Sequence, residues 1–206
     1  MAYGILPIQN LRAAVGQWIL PSTSLAAGQL QPASLDLRLG AVAYRVRASF
    51  LPGSEASVVD AMQPYHLHTL DLSQGAVLEK GCVYLVPLQE ALALPTHISA
   101  LANAKSSTGR VDVFTRLITD GATAFDAVRV GYAGPLYAEI APKAFSVLVR
   151  TGSRLNQIRF RDTSTAPTTP AELSQCLQTA HQQHPLVNVP LQSEDFVRGI
   201  PFSVDL

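Results

Sequence analysis

Charge is what this chain lacks most. Of its 206 residues only 15% are charged while 48% are apolar; ordinary globular chains carry roughly 25% charged residues. So little charge predicts that part of the surface is buried between copies, and a homo-oligomer is expected. Fifteen basic and fifteen acidic side chains cancel, which leaves no broad basic field for DNA or RNA. An anionic ligand must therefore be held by a local cluster. Two cysteines, Cys82 and Cys176, build neither a disulfide framework nor a four-thiolate metal site, and Cys82, inside "CVYLVPL", reads as a core residue. No apolar run approaches the ~20 residues of a membrane span. The N-terminal "MAYGILPIQNLRAAV" has no basic region followed by an unbroken apolar core, so it is no signal peptide. A soluble, cytoplasmic protein is the expectation.

Catalytic signatures are missing as well. There is no G-x-S-x-G elbow, no P-loop and no G-x-G-x-x-G. His66-x-His68 and His181-x-x-His184 come with no third nearby ligand and no Cys-x-x-Cys pair, so no zinc is expected.

What is present is alternation. Leu35, Leu37 and Leu39 alternate with Ser34, Asp36 and Arg38 as a half-buried strand does. Further strand-like runs are "AVLEKGCVYLVPL", "DVFTRLIT", "PLYAEIA", "FSVLVR" and "NQIRF", separated by turn residues. Many short strands of this kind predict an all-β sandwich, barrel or jelly roll. Ile8 to Trp18 has helical spacing, and Pro52 to Pro64 has loop chemistry. From Asp162 the texture changes: "DTSTAPTTP" reads as a linker, and "PAELSQCLQTAHQQH" as a helix opened by Pro170. The final "GIPFSVDL" resembles "QPASLDLRLG". Spacing leaves two readings open: a second repeat beginning, or a terminal strand closing its own sheet.

The densest polar cluster is "NAKSSTGR". Lys105 and Arg110 supply positive charge, Ser106, Ser107 and Thr108 supply hydroxyls, and Gly109 allows a turn with positive φ. Such a turn suits phosphate, although ordinary loops share its composition. A second candidate is Glu139 in "LYAEIA", where Leu136, Ala138 and Ile140 take one face of a strand and Tyr137 and Glu139 the other. Glu139 lies either on a solvated face or in a polar pocket, where burial makes a carboxylate a usable general base. Asp126, in "AFDAV", is a third acid, or simply a turn residue.

In order, "QPASLDLRLG", "AKSSTGR", an Asp followed by "GYAGPLYAEI", and "GSRLNQIRF" resemble the dCTP deaminase branch of the dUTPase superfamily, over roughly Ile5 to Phe160. The resemblance is strongest to the N-terminal half of a long two-domain bacterial form. It implies a distorted jelly roll of residues 1–161 with short N- and C-terminal helices. Residues 162–206 are then a linker, a helix and the start of a second repeat, in a chain expected to be truncated. The resemblance further implies a trimer or trimer-like assembly, with sites at domain contacts, that deaminates dCTP to dUTP and ammonia without zinc. Mg²⁺ would arrive with the triphosphate. By position, Glu139 matches the water-activating carboxylate, and Ser106 and Arg110 match the residues that hold the water and the base. Lys105, Ser107, Thr108 and Gly109 match the phosphate turn, Asp126 the acid near deoxyribose, Tyr137 and Ala138 the base lining, and Gln157 a further substrate contact. Three features depart from the family: a long Arg110–Glu139 interval, no C-terminal Tyr/Lys/Gln tail after Phe160, and an end at "FSVDL". A dUTP pyrophosphatase, a bifunctional enzyme or a non-catalytic nucleotide-binding module are the alternatives.

Overall fold

Residues 4–164 and 169–183 are described by the computed structural model. The elements are β1 (Gly4–Ile5), α1 (Ile8–Ala14), β2 (Ile19–Pro21), β3 (Leu30–Gln31), β4 (Ser34–Leu37), β5 (Val42–Val46), α2 (Val58–Met62), β6 (His66–Asp71) and β7 (Ala76–Leu78). They continue as β8 (Val83–Ala93), β9 (Ile98–Ala104), α3 (Ser106–Arg110), β10 (Val113–Thr119), β11 (Ala127–Val128), β12 (Ala133–Pro142), β13 (Val147–Val149), β14 (Asn156–Asp162) and α4 (Pro170–Gln183). No helix among the described residues is long and apolar enough to cross a membrane.

The all-β jelly-roll expectation is met by antiparallel sheets. One runs β11-β9-β14-β4-β3 with β1 on β14; the second runs β10-β12-β8-β5-β6 with β2 on β8; β13 and β7 form a small ribbon. Between the two large sheets lies an apolar core in which Leu35, Leu37, Ile158 and Phe160 of the first meet Leu92, Leu117 and Leu136 of the second. The second sheet is buried on its other face too. There Val46, Leu85, Ile118 and Tyr137 pack under Phe50, Val58 and Met62. β12 therefore runs as a nearly continuous buried strand, as strands covered on both faces do.

Several local expectations are corrected. The helix read over Ile8 to Trp18 stops at Ala14, because Gly16 takes φ +80° and turns the chain. Trp18 then packs edge-on against Phe160 at 5.1 Å. The loop from Pro52 contains α2, nucleated by Ser57, whose Oγ accepts from the Asp60 N–H at 3.1 Å. Cys82 is only half-buried, and Arg45 Nη2 donates to its sulfur at 2.9 Å. In β4 the polar phase is not wet: Ser34 and Asp36 are buried along with Leu35 and Leu37.

The chain divides into two units, Met1–Ser164 and Thr165–Leu206. In the second, α4 begins with a capping box: Thr169 Oγ1 accepts from the Glu172 N–H at 3.3 Å, and Glu172 accepts from the Thr169 N–H at 3.1 Å. "GIPFSVDL" and the repeat reading attached to it lie outside the described residues.

Candidate functional site

The cluster "KSSTGR" is a helical turn rather than a loop. Lys105, in extended backbone, precedes α3, and its carbonyl accepts from the Thr108 and Gly109 N–H groups at 2.9 and 3.0 Å. Gly109 is not among the residues with positive φ, so the expected left-handed turn is not used. Helical spacing sorts the side chains. Ser106 and Arg110, four apart, share one exposed face. Thr108 points inward, 4% exposed, and donates to the Leu155 carbonyl at 3.0 Å. Its hydroxyl ties α3 to the segment before β14.

Strand register then brings distant residues to Lys105. β14 lies between β4 and β9, with Gln157 opposite Asp36 on one side and Asn103 on the other. Lys105, Ser106, Ser107, Gln157 and Asp36 line one cleft of about 350 Å³. Lys105 is not free there: its Nζ is ion-paired with Asp36 Oδ2, and Arg154 Nη1 stands 3.7 Å from the same oxygen. Asp36 is nearly fully buried, and its Oδ1 has no hydrogen-bond partner. Its backbone is fixed by Gln29, whose Nε2 donates to the Asp36 carbonyl at 2.9 Å and to Glu90 at 2.8 Å. Glu90 in turn holds Arg38 through a buried ion pair of 2.7 Å. A buried charge needs such partners.

Glu139 sits elsewhere, on β12, and it is buried rather than on a solvated face, at 3% exposure. Its cross-strand partner on β10 is Arg116. Both Arg116 Nη2 and Nε donate to Glu139 Oε1, at 2.6 and 3.1 Å, and Nη2 also donates to Ser49 Oγ at 2.7 Å. The guanidinium lies 3.5 Å above the Phe125 ring, which fixes its plane. Asp126 takes φ +63°, and its carboxylate accepts from the Leu117 N–H at 2.7 Å. Burial is the main cause that pushes the Asp126 carboxyl above its ordinary pKa; Glu139 raises it further, against the Leu117 bond and Arg116. Tyr137 is buried beside this group, and burial raises its phenol.

The predicted residues thus fall into two groups. Lys105, Ser106, Ser107 and Gln157 share the cleft on the first sheet. Glu139, Tyr137 and Ala138 lie on β12 of the second, while Asp126 precedes β11 of the first and reaches β10 through its bonds to Leu117; none of them lines that cleft. Arg110 lies outside it too, exposed and making no ion pair with described residues. Sequence reasoning assigned no role to Arg116 or Asp36. An arginine inside the apolar "VFTRLIT" was the available signal for Arg116, but its partner depends on register.

Residues 2–164 match the model of the 2'-deoxycytidine 5'-triphosphate deaminase (DCD) N-terminal domain. The chain belongs to that family. A crystal structure of 2'-deoxycytidine 5'-triphosphate deaminase from Agrobacterium tumefaciens is 52% identical over 91% of this chain, with a TM-score of 0.81. The match spans 56% of that longer protein. A Staphylococcus bacteriophage 80alpha dUTPase is 14% identical over 46% of this chain and 75% of its own, at a TM-score of 0.35, too slight a likeness to add to the assignment. No curated protein sequence matches the chain.

Proposed function

We propose that this chain supplies the site of a dCTP deaminase of pyrimidine deoxynucleotide metabolism, with Glu139 as general base. The observation that carries this reading is the buried Glu139 carboxylate, fixed by Arg116 through one oxygen. That leaves the carboxylate's second oxygen to take a proton from water. The water oxygen bonds to C4 of cytosine as its proton passes to Glu139. Glu139 passes that proton to N3, the remaining hydroxyl proton reaches the exocyclic nitrogen, the C4–N bond breaks, and dUTP and ammonia leave. A hydroxyl and a guanidinium, from Ser106 and Arg110, stabilise the charge that develops at the tetrahedral centre.

Those two residues lie on α3, and Glu139 does not line the cleft that Ser106 faces; in this reading the site is completed by a neighbouring copy that presents its α3 face to β12. A trimer closes such head-to-tail contacts into a ring. Asp126, within electrostatic reach of Arg116 and Glu139, takes the wall beside the sugar, and Tyr137 and Ala138 back the base. Lys105, Ser107, Gly109 and Gln157 take the phosphates, while Thr108 supports their turn. Mg²⁺ enters as part of the substrate, and the unpartnered oxygen of Asp36 is the cleft carboxylate suited to it. These roles fall within residues 1–161, and the substrate places the enzyme in the cytoplasm.

Incubation with dCTP and Mg²⁺ is expected to release ammonia, and Glu139→Gln to abolish that release while nucleotide binding persists. Binding without turnover in the unmodified protein would favour a nucleotide-sensing module. Pyrophosphate in the same incubation would report hydrolysis of dUTP as a second activity.

A further inference from the structure

Beyond the Ser106 cleft, on the same outer face of the first sheet, three arginines meet in a second cavity. Alternation along β14 sends Gln157, Arg159 and Arg161 to one side. Register sets Arg159 beside Leu101 and Arg161 beside Ser99 of β9. Arg129, just past β11, closes the other wall of a cavity of about 330 Å³. Gly121 makes room for it. That residue has φ +69°, and a Cβ there would stand 2.8 Å from Arg129 Nη1 and 3.2 Å from the Ser54 carbonyl. The floor is apolar, from Ile5, Val128 and Leu101, the last 62% exposed.

Among the described residues none of the three arginines is ion-paired; Arg129 has only the Tyr132 ring, at 5.7 Å. Elsewhere Arg38 and Arg116 are paired, with Glu90 and Glu139, while Arg12, Arg47, Arg110 and Arg150 also make no ion pair with described residues; what sets these three apart is that they line one cavity. Like charges gathered round one cavity repel, and although solvent screens these exposed side chains, an anion between them would relieve that repulsion. We propose that this cavity binds the phosphate chain of a nucleotide, at a place separate from the Ser106 cleft. Guanidinium forks match phosphate oxygens, hydroxyls of Ser99 and Thr123 stand on the walls, and the apolar floor accepts a base or sugar. The volume lies at the small end of the roughly 300–1,000 Å³ of ligand pockets, which suits a nucleoside di- or triphosphate rather than a larger cofactor. The inference does not depend on the deaminase reading, because it concerns binding alone.

Calorimetric titration of the full chain with inorganic triphosphate tests it. The unmodified protein should show two sites per chain. Arg159→Ala with Arg161→Ala should weaken one of them at least tenfold, and Lys105→Ala with Ser107→Ala should weaken only the other. Arg159→Lys with Arg161→Lys keeps the charge without the fork, and several-fold weakening is expected; this milder pair carries the test if the alanine pair does not fold. Unchanged affinity and stoichiometry in the arginine variants overturns the proposal. So does unchanged anion binding with an altered sedimentation coefficient, which would make the cavity a contact for acidic groups of a second copy.

Discussion

Arg116 and Glu139 face each other across β10 and β12, and two guanidinium nitrogens converge on a single carboxylate oxygen at 2.6 and 3.1 Å. The pair orients the carboxylate and leaves one of its oxygens uncommitted. Removing the guanidinium strands a buried charge, which costs about 3 kcal/mol. Arg116→Met is therefore expected to lower the urea midpoint strongly and to lower kcat with it. Glu139→Gln keeps an acceptor for Arg116, so its midpoint should move much less although turnover is lost. Equal destabilisation by both substitutions would refute the orienting role of Arg116.

Lys105 and Asp36 allow a two-step test of the cleft. Lys105→Ala leaves Asp36 buried with only Arg154, 3.7 Å away, and should cost about 3 kcal/mol by the same reasoning. It should also raise KM for dCTP, because a phosphate partner is gone. Adding Asp36→Asn removes the stranded charge, so stability should recover while KM stays high. If KM recovers with stability, Lys105 acts on the fold and not on the nucleotide.

Much of this architecture was legible because strand alternation is local. "PLYAEIA" and "NQIRF" have the period of a strand and form β12 and β14. The meaning of a polar residue within a strand was not legible in the same way. Asp36 occupies a polar phase that reads as solvent-facing, and Glu139 one that reads as either solvated or pocketed, yet both are buried, because a second layer covers them: Lys105 and Arg154 over Asp36, Arg116 and the segment around Phe50 over the β12 face. That covering is set by register and by residues far along the chain. Capping chemistry was local but unread: Ser57 and Asp60 in "SVVD" mark the start of α2.

Asp126 predicts a pH dependence. Burial holds its folded-state pKa above the ordinary carboxylate value. A carboxyl raised in this way favours the folded state while it is protonated. Its contribution is complete below the unfolded pKa of about 4 and is lost as pH rises through the folded-state value. Asp126→Asn keeps the acceptor for the Leu117 N–H and tolerates the left-handed backbone. The variant should therefore be more stable than the parent at pH 7 and indistinguishable from it near pH 3, as read from urea midpoints at the two pH values. A variant less stable at pH 7 would show that the charge itself is needed for folding.

Thr108 and Ser106, two residues apart on α3, should separate stability from chemistry. The Thr108 hydroxyl is buried on the Leu155 carbonyl, which also accepts from the Lys105 N–H at 2.9 Å. Thr108→Val removes one of two donors to that carbonyl at nearly constant volume and should cost about 1 kcal/mol. Its kcat should stay near that of the parent. Ser106 is exposed and forms no side-chain hydrogen bond with described residues, so Ser106→Ala should leave thermal unfolding unchanged. It should cut kcat by tenfold or more through loss of a donor to the developing charge, with a smaller change in nucleotide affinity. Should Thr108→Val instead lower kcat without loss of stability, the hydroxyl must turn outward in the working assembly, and the helical sorting of this turn would not hold there.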